Sequence, residues 1–287
     1  MTTAAPLTVG ALLRNWRERR GLSQLELAGR ADSSSRHISF VETGRSRPSE
    51  EMVLRLADRL DVPVRDRNAL LVAAGYAPRY AHTPLSDPSM EVLREGLERL
   101  LTGYEPYPAL VVDATYEVVA ANRGIMLLME GLPEHLLAGP LNAMRLTLHP
   151  EGLAPRIRNF REWRGHLLAQ MERQIALARS APLRALYEEV AAYPPPAAAE
   201  GAEGPGEDGR PYGEGPHGAG PYGDEPVEAV AYLALPLRIE HDGHLLSFVS
   251  SISTFNTPMD VTVAELAIET LLPADPATVK YLRSLAP

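Results

Sequence analysis

The segment LSQLELAGRADSSSRHISFVETGRSRPS, residues 22–49, constrains this chain most, because it fixes two short helices across a tight turn. Ser23 and Glu26 form a capping box: the Ser23 hydroxyl accepts a backbone amide while the Glu26 carboxylate reaches back to the Ser23 amide. A helix therefore starts there and runs through Ala31. Asp32–Ser34 make the turn, and a second helix extends to about Glu42 and ends at a glycine. Where the two helices cross a small residue is needed, and Ala28 supplies it. Ile38 and Val41 form the buried stripe of the second helix, which leaves Ser35, Arg36, Ser39 and Phe40 facing away from the core.

The neighbouring sequence completes a helical domain. Val9–Arg20 places Leu12, Leu13 and Trp16 on one stripe and stops at Gly21. Ser49, followed by Glu50 and Glu51, caps a helix to Leu60, and Arg65–Ala74 gives a fifth helix closed by Gly75. Residues 1–78 are read as this all-α five-helix domain, and 79–88, with two prolines, as a linker.

Residues 89–287 read as a second, α+β domain. A helix over Met90–Leu101 precedes two extended runs, Ala109–Asp113 and Tyr116–Ala121, and Asn122 can cap the helix after them. A long helix is expected over Gly152–Arg179 and another over about Leu183–Ala192. The stretch 194–226 is crowded with Gly, Pro, Ala and Glu and holds the near-repeats RPYGEGPHG and GPYGDEP. Too little apolar surface is available there to offset ordering entropy, so a disordered insertion is expected. Strands over Val227–Glu240 and His244–Phe255 are joined by an Asp-Gly pair that tolerates positive φ, which predicts a hairpin. Two further helices are expected, Val261–Leu271 and Ala277–Leu285.

Charge separates the two parts. The formal net charge is −9, yet residues 1–80 hold 13 Arg/Lys against 9 Asp/Glu, while 81–287 hold 15 against 28. A basic end on an acidic body is the electrostatic outline of a nucleic-acid reader that carries something else. The absence of cysteine excludes disulfides, thiolate metal sites and cysteine nucleophiles. No apolar run approaches a membrane span and no secretory signal is visible, so a cytoplasmic protein without membrane contact is expected. No Gly-rich phosphate loop follows a strand and no nucleophile elbow occurs, which argues against an enzyme. His241 and His244 flank a tight turn without a third ligand in view, and neither a metal nor a cofactor is expected.

A short polar helical face with one arginine near its N-terminus suits the major groove, where base edges are read. On that reading Ser34, Ser35, Arg36, Ser39 and Phe40 face DNA, and Gln24 reaches a phosphate at the start of the preceding helix. Arg45 and Arg47 lie just past the reading helix, placed for the backbone. The same arginines could instead be a solvated face. The stretch from Leu22 to Ser49 resembles the Xre/lambda-repressor family of helix-turn-helix domains, and the likeness covers about residues 8–76. Asp32 stands where that family usually has glycine; Asp tolerates the left-handed conformation, so a modest stability cost is expected.

Three further blocks, PALVVDATYEVVAAN (Pro108–Asn122), NAMRLTLHPEGLAPRIRNFREW (Asn142–Trp163) and STFNTPMDVTVAELAIETLLPAD (Ser253–Asp275), resemble the MmyB-like ligand-binding domain, a PAS-like sensor fold. That likeness implies a cavity for a small apolar molecule of the fatty-acid-like class. A bound carboxylate needs a cationic or hydrogen-bonding end, for which Arg145, His149, Arg156 and Asn159 are candidates, with Trp163 and Phe255 as walls. Each has a plainer role open to it. His149 can order the turn at Pro150, Trp163 can be core packing, and Arg145 can pair with an acid; Asp260 is better placed to cap the helix at Val261. The resulting expectation is a dimeric regulator on a palindromic double-stranded operator. The alternative is a second domain that only dimerises or binds a partner, without a small ligand.

Overall fold

The computed structural model describes residues 8–178, 180–196 and 234–285. The expected insertion, beyond residue 196, and the first part of the Val227–Glu240 strand lie outside the described residues. The chain divides into two units: one holds the residues up to Glu91 together with Phe255–Glu265, the other holds Val92–Thr254 and the residues from Leu266 on.

The first unit contains α1 (Val9–Arg19), α2 (Gln24–Arg30), α3 (Ser35–Glu42), α4 (Glu50–Arg59) and α5 (Val64–Ala73). Both bonds of the Ser23–Glu26 capping box are formed, and Ser34 and Ser49 cap α3 and α4 with their hydroxyls. The turn expected at Asp32 is a left-handed one: its φ is 49°, and the Ser33 amide donates to the Ala28 carbonyl to close the end of α2. Leu13, Leu27, Ile38, Val53, Leu56 and Leu70 meet in one core. α1 approaches α3 closely at Gly10, where a Cβ would stand 2.3 Å from the Val41 carbonyl oxygen, so only glycine fits.

Segment 79–88, read as a linker, is ordered against the Phe255–Glu265 connection. The Val261 amide donates to the Ala81 carbonyl, and the Thr83 hydroxyl donates to Asp260 at 2.7 Å. Asp260 also accepts from the Thr262 amide, in keeping with a capping role for the short helix α12 (Val261–Glu265). Glu265 at the end of that helix takes both the Nε and Nη2 of Arg65, at 2.6 and 2.8 Å.

The second unit is built on an antiparallel five-stranded sheet in the order β2-β1-β5-β4-β3. Its strands are β1 (Ala109–Val112), β2 (Val118–Ala121), β3 (Leu237–His241), β4 (His244–Thr254) and β5 (Ala267–Pro273). The Asp242-Gly243 pair takes positive φ at both positions, 46° and 75°, as the hairpin requires. The helices are α6 (Glu91–Gly103), α7 (Arg123–Met129), α8 (Glu134–Leu137), α9 (Ala143–Leu148), α10 (Phe160–Ala178), α11 (Ala181–Ala191) and α13 (Pro276–Ser284).

Two expectations for the C-terminal domain are corrected. Only Val261–Glu265 of the expected Val261–Leu271 helix is helical, and β5 runs centrally between β1 and β4. The run LAIETLLP is short and apolar, so periodicity cannot separate buried strand from helix. Ladders on both sides satisfy its backbone and decide the outcome. The long helix begins at Phe160, not Gly152, because Pro155 sits in a 3-10 turn over Ala154–Arg156. The chain then pairs with β3 at Ile157–Ile239 before turning into α10.

Candidate functional site

α3 presents a polar face held rigid from beneath. Ser35 and Arg36 are exposed and Ser39 and Phe40 half-buried, while Ile38 and Val41 are buried. The Arg36 and Arg45 guanidinium groups flank the Phe40 ring, 5.3 and 5.9 Å from its centroid. Gly44, at φ 73°, turns the chain out of α3, and the Arg45 amide donates to the Phe40 carbonyl at 2.8 Å. This left-handed ending sets Arg45 beside the C-terminal end of the face.

Two expected DNA contacts are engaged elsewhere. Arg47 donates from Nε to the Ala74 carbonyl at 3.0 Å and stacks over Tyr76, so it ties the segment after α3 to the end of α5. Gln24 donates through Nε2 to Glu42 at 2.8 Å. Glu42 is the centre of a buried network that sequence reasoning missed. It accepts from Arg17 Nε at 2.6 Å and Nη2 at 2.9 Å, and Arg17 Nη1 donates to the Leu22 carbonyl at 2.7 Å. These bonds lock α1, the start of α2 and the end of α3 together. No local pattern signals a pairing 25 residues apart.

The second unit holds a cavity of about 90 Å³ between sheet and helices. Leu110, Val118 and Leu271 line it from the sheet, Met129 and Met144 from α7 and α9, and Trp163 and Leu167 from α10. Trp163 is buried and stacks on His166, so it is both core and wall. Glu269 of β5 also faces the cavity, and it is the only charged residue among the described residues that line it.

The proposed polar anchors are not on this wall. Arg145 forms a two-bond pair with Glu189 at 2.7 and 2.8 Å, which holds the Glu189 carboxyl below its usual range. Glu189 also accepts from the Tyr193 hydroxyl, whose pKa burial and that carboxylate push up to about 12. His149 meets the Tyr193 ring edge-on at 5.0 Å and accepts the Glu151 amide through Nδ1, which orders the turn after Pro150. Arg156 is spent on backbone carbonyls, Leu128 at 2.8 Å and Glu240 at 3.0 Å, and its burial lowers its pKa. Asn159 pins β3 by donating to the Pro236 carbonyl and accepting the Arg238 amide. Phe255 belongs to the other unit. Of the six candidates, only Trp163 lines the cavity. His241 bonds the Tyr281 hydroxyl through Nδ1 at 2.7 Å, and no three-residue metal-binding cluster occurs among the described residues.

A capped helix pair that presents a polar, arginine-bearing helix, joined to an α+β domain with an apolar cavity, defines a DNA-binding transcription regulator. The comparisons give the family. Residues 93–285 match the model of the MmyB-like transcription regulator ligand binding domain, and residues 8–70 match a helix-turn-helix domain. The chain belongs to the MmyB-like family of transcription regulators. Two crystal structures of the clp gene regulator ClgR from Corynebacterium glutamicum are similar over a minor share of the chain. One is 28% identical over 26% of this chain and 92% of its own, the other 26% identical over 36% and 97%, both with a TM-score of 0.22. A comparison with curated proteins gives no match. No helix among the described residues is long and apolar enough to cross a membrane.

Proposed function

We propose that this cytoplasmic regulator binds specific DNA through α3 and adjusts that binding when a small apolar molecule enters the cavity of its second unit. The observation that supports it most is the largely apolar cavity, lined from both sheet and helices, in a chain that also carries a helix-turn-helix domain. Arg36 is the residue placed to read a base edge, with Ser35 and Ser39 beside it and Arg45 on the phosphate backbone. Two serines give modest contacts per half-site, so a homodimer on a palindromic operator would supply the missing affinity, with half-sites about one helical turn apart.

The β2-β1-β5-β4-β3 order supports a PAS-like reading of the sensor. Fatty-acid-like molecules are the ligand class that the resemblance implies. Two flexible methionine side chains, Met129 and Met144, give the wall room to adapt to an apolar guest. A ligand that favours one state of the sensor shifts the population of DNA-competent protein by its differential affinity for the two states. Native mass spectrometry of the purified protein tests the sensor. A co-purified mass of a few hundred daltons that extraction removes is expected; a bare chain that no apolar molecule stabilises would leave only a dimerisation module.

A further inference from the structure

Phe40 sits on the polar face of α3 without belonging to the core beneath it. Ile38 and Val41, close to it in sequence, are each 1% exposed and take the inward stripe of the helix. The Phe40 ring is half-buried, and the hydrophobic cluster of the first unit does not include it. Cations lie against it instead. The Arg36 guanidinium, one helical turn earlier, is 5.3 Å from the ring centroid, and the Arg45 guanidinium is 5.9 Å from it. Backbone bonds fix the second of these, because the Phe40 carbonyl accepts the Arg45 amide at 2.8 Å and the Ser46 amide at 3.1 Å.

These contacts differ from those of other arginines in the unit. Arg17, Arg20 and Arg47 give N–H groups to Glu42 or to backbone carbonyls. Arg36 and Arg45 have no ion-pair or hydrogen-bond acceptor for their side chains among the described residues. Attraction to a ring face orients a guanidinium without consuming its N–H donors, which stay available for a base edge or a phosphate. Phe40 thus offers an apolar surface beside two oriented cations. In the major groove the apolar group on a base edge is the C5-methyl of thymine. The arginines bring the ring to the DNA, and a thymine methyl is what it can bury there. Another base in that place would lay a polar edge against the ring, without a partner.

We propose that α3 reads a thymine methyl through Phe40, next to the base that Arg36 contacts, and that the ring positions Arg36 for that contact. This rests on the DNA-reading proposal above and adds the identity of one base.

The test starts from in vitro selection of duplexes by the full chain, followed by fluorescence anisotropy on the preferred duplex. Each thymine is replaced in turn by deoxyuridine, which lacks only the methyl group. One thymine per half-site should lose about fourfold in affinity, the value of one buried methyl group. Phe40→Ala should abolish this sensitivity, with a melting midpoint within about 4 °C of the parent. Phe40→Leu should keep at least about a twofold methyl effect, yet relax the preference at the base pair that Arg36 reads. A clear selected sequence with no deoxyuridine effect at any thymine, or an effect that persists in Phe40→Ala, overturns the assignment and leaves DNA reading standing. A larger fall in the melting midpoint of Phe40→Ala makes the ring part of the fold and overturns it too. An Arg36 preference undisturbed in Phe40→Leu overturns the positioning role. Selection that recovers no preferred sequence overturns both the assignment and the DNA-reading proposal.

Discussion

Glu42→Ala is the perturbation whose cost the structure defines best. It removes the acceptor of two Arg17 bonds and one Gln24 bond. The Arg17 side chain is 10% exposed and the Glu42 side chain 2% exposed, so water cannot replace the lost partner. Arg17 would keep the Leu22 carbonyl and a looser, more exposed pairing with Glu18 at 3.6 Å. Removing one member of a buried pair costs about 3–5 kcal/mol, most of it from the charge left behind. In a unit of this size each kcal/mol moves the midpoint by about 4–8 °C, so a fall of roughly 12 °C or more is expected. Arg17→Met combined with Glu42→Leu removes both charges and should recover most of the loss, to within about 1–2 kcal/mol of the parent. Urea unfolding followed by amide exchange at α1 and α3 reads the effect locally. A single-variant cost below about 1 kcal/mol, or a double variant no better than the single, would refute the reasoning.

Other substitutions separate reading from scaffolding. Arg36→Ala should weaken specific DNA binding by about 1–3 kcal/mol and relax preference at one base pair, whereas Arg45→Ala should weaken all sequences alike and reduce the salt slope by about one. Arg47→Ala should leave that slope unchanged and lower thermal stability, because its partners are Ala74 and Tyr76. Asp32→Gly should stabilise the first unit by about 0.5–1 kcal/mol by relieving a left-handed non-glycine residue, and Gly10→Ala should destabilise it by about 1–3 kcal/mol through the clash with Val41; both are read by calorimetry. Glu269 adds a pH dependence. Its pKa is raised, so the folded chain retains a proton that the unfolded chain releases above about 4.5, and stability falls as pH rises from there toward the folded value. Glu269→Gln removes that fall: its melting midpoint should match the parent near pH 4 and exceed it at neutral pH.

Local chemistry was legible where local rules decide. The Ser23–Glu26 box, the Ser49 cap, the Asp32 turn and the Asp242-Gly243 hairpin each depend on a few adjacent residues, and all formed as the sequence implies. The resemblance to the MmyB-like domain likewise gave the family that the comparison found. Distant pairing was not legible. Nothing near Glu42 announces Arg17, and nothing near Arg145 announces Glu189, so side chains reserved for DNA or ligand proved to hold other residues. β5 was missed because a short apolar run fits either period, and with it went Glu269. A lone carboxylate between Ile268 and Thr270 in an otherwise apolar run was the available signal. Its importance depends on which sheet face it takes, and only the ladder with β1 shows that.

The most direct test of the account is fluorescence anisotropy of the full chain on the DNA upstream of its own gene, against a scrambled duplex of equal length, at about 150 mM salt. The account predicts saturable binding at least tenfold tighter to the upstream DNA, with an affinity that changes when an apolar ligand is added. Equal affinity for both duplexes, falling steeply with salt and indifferent to ligand, would contradict it.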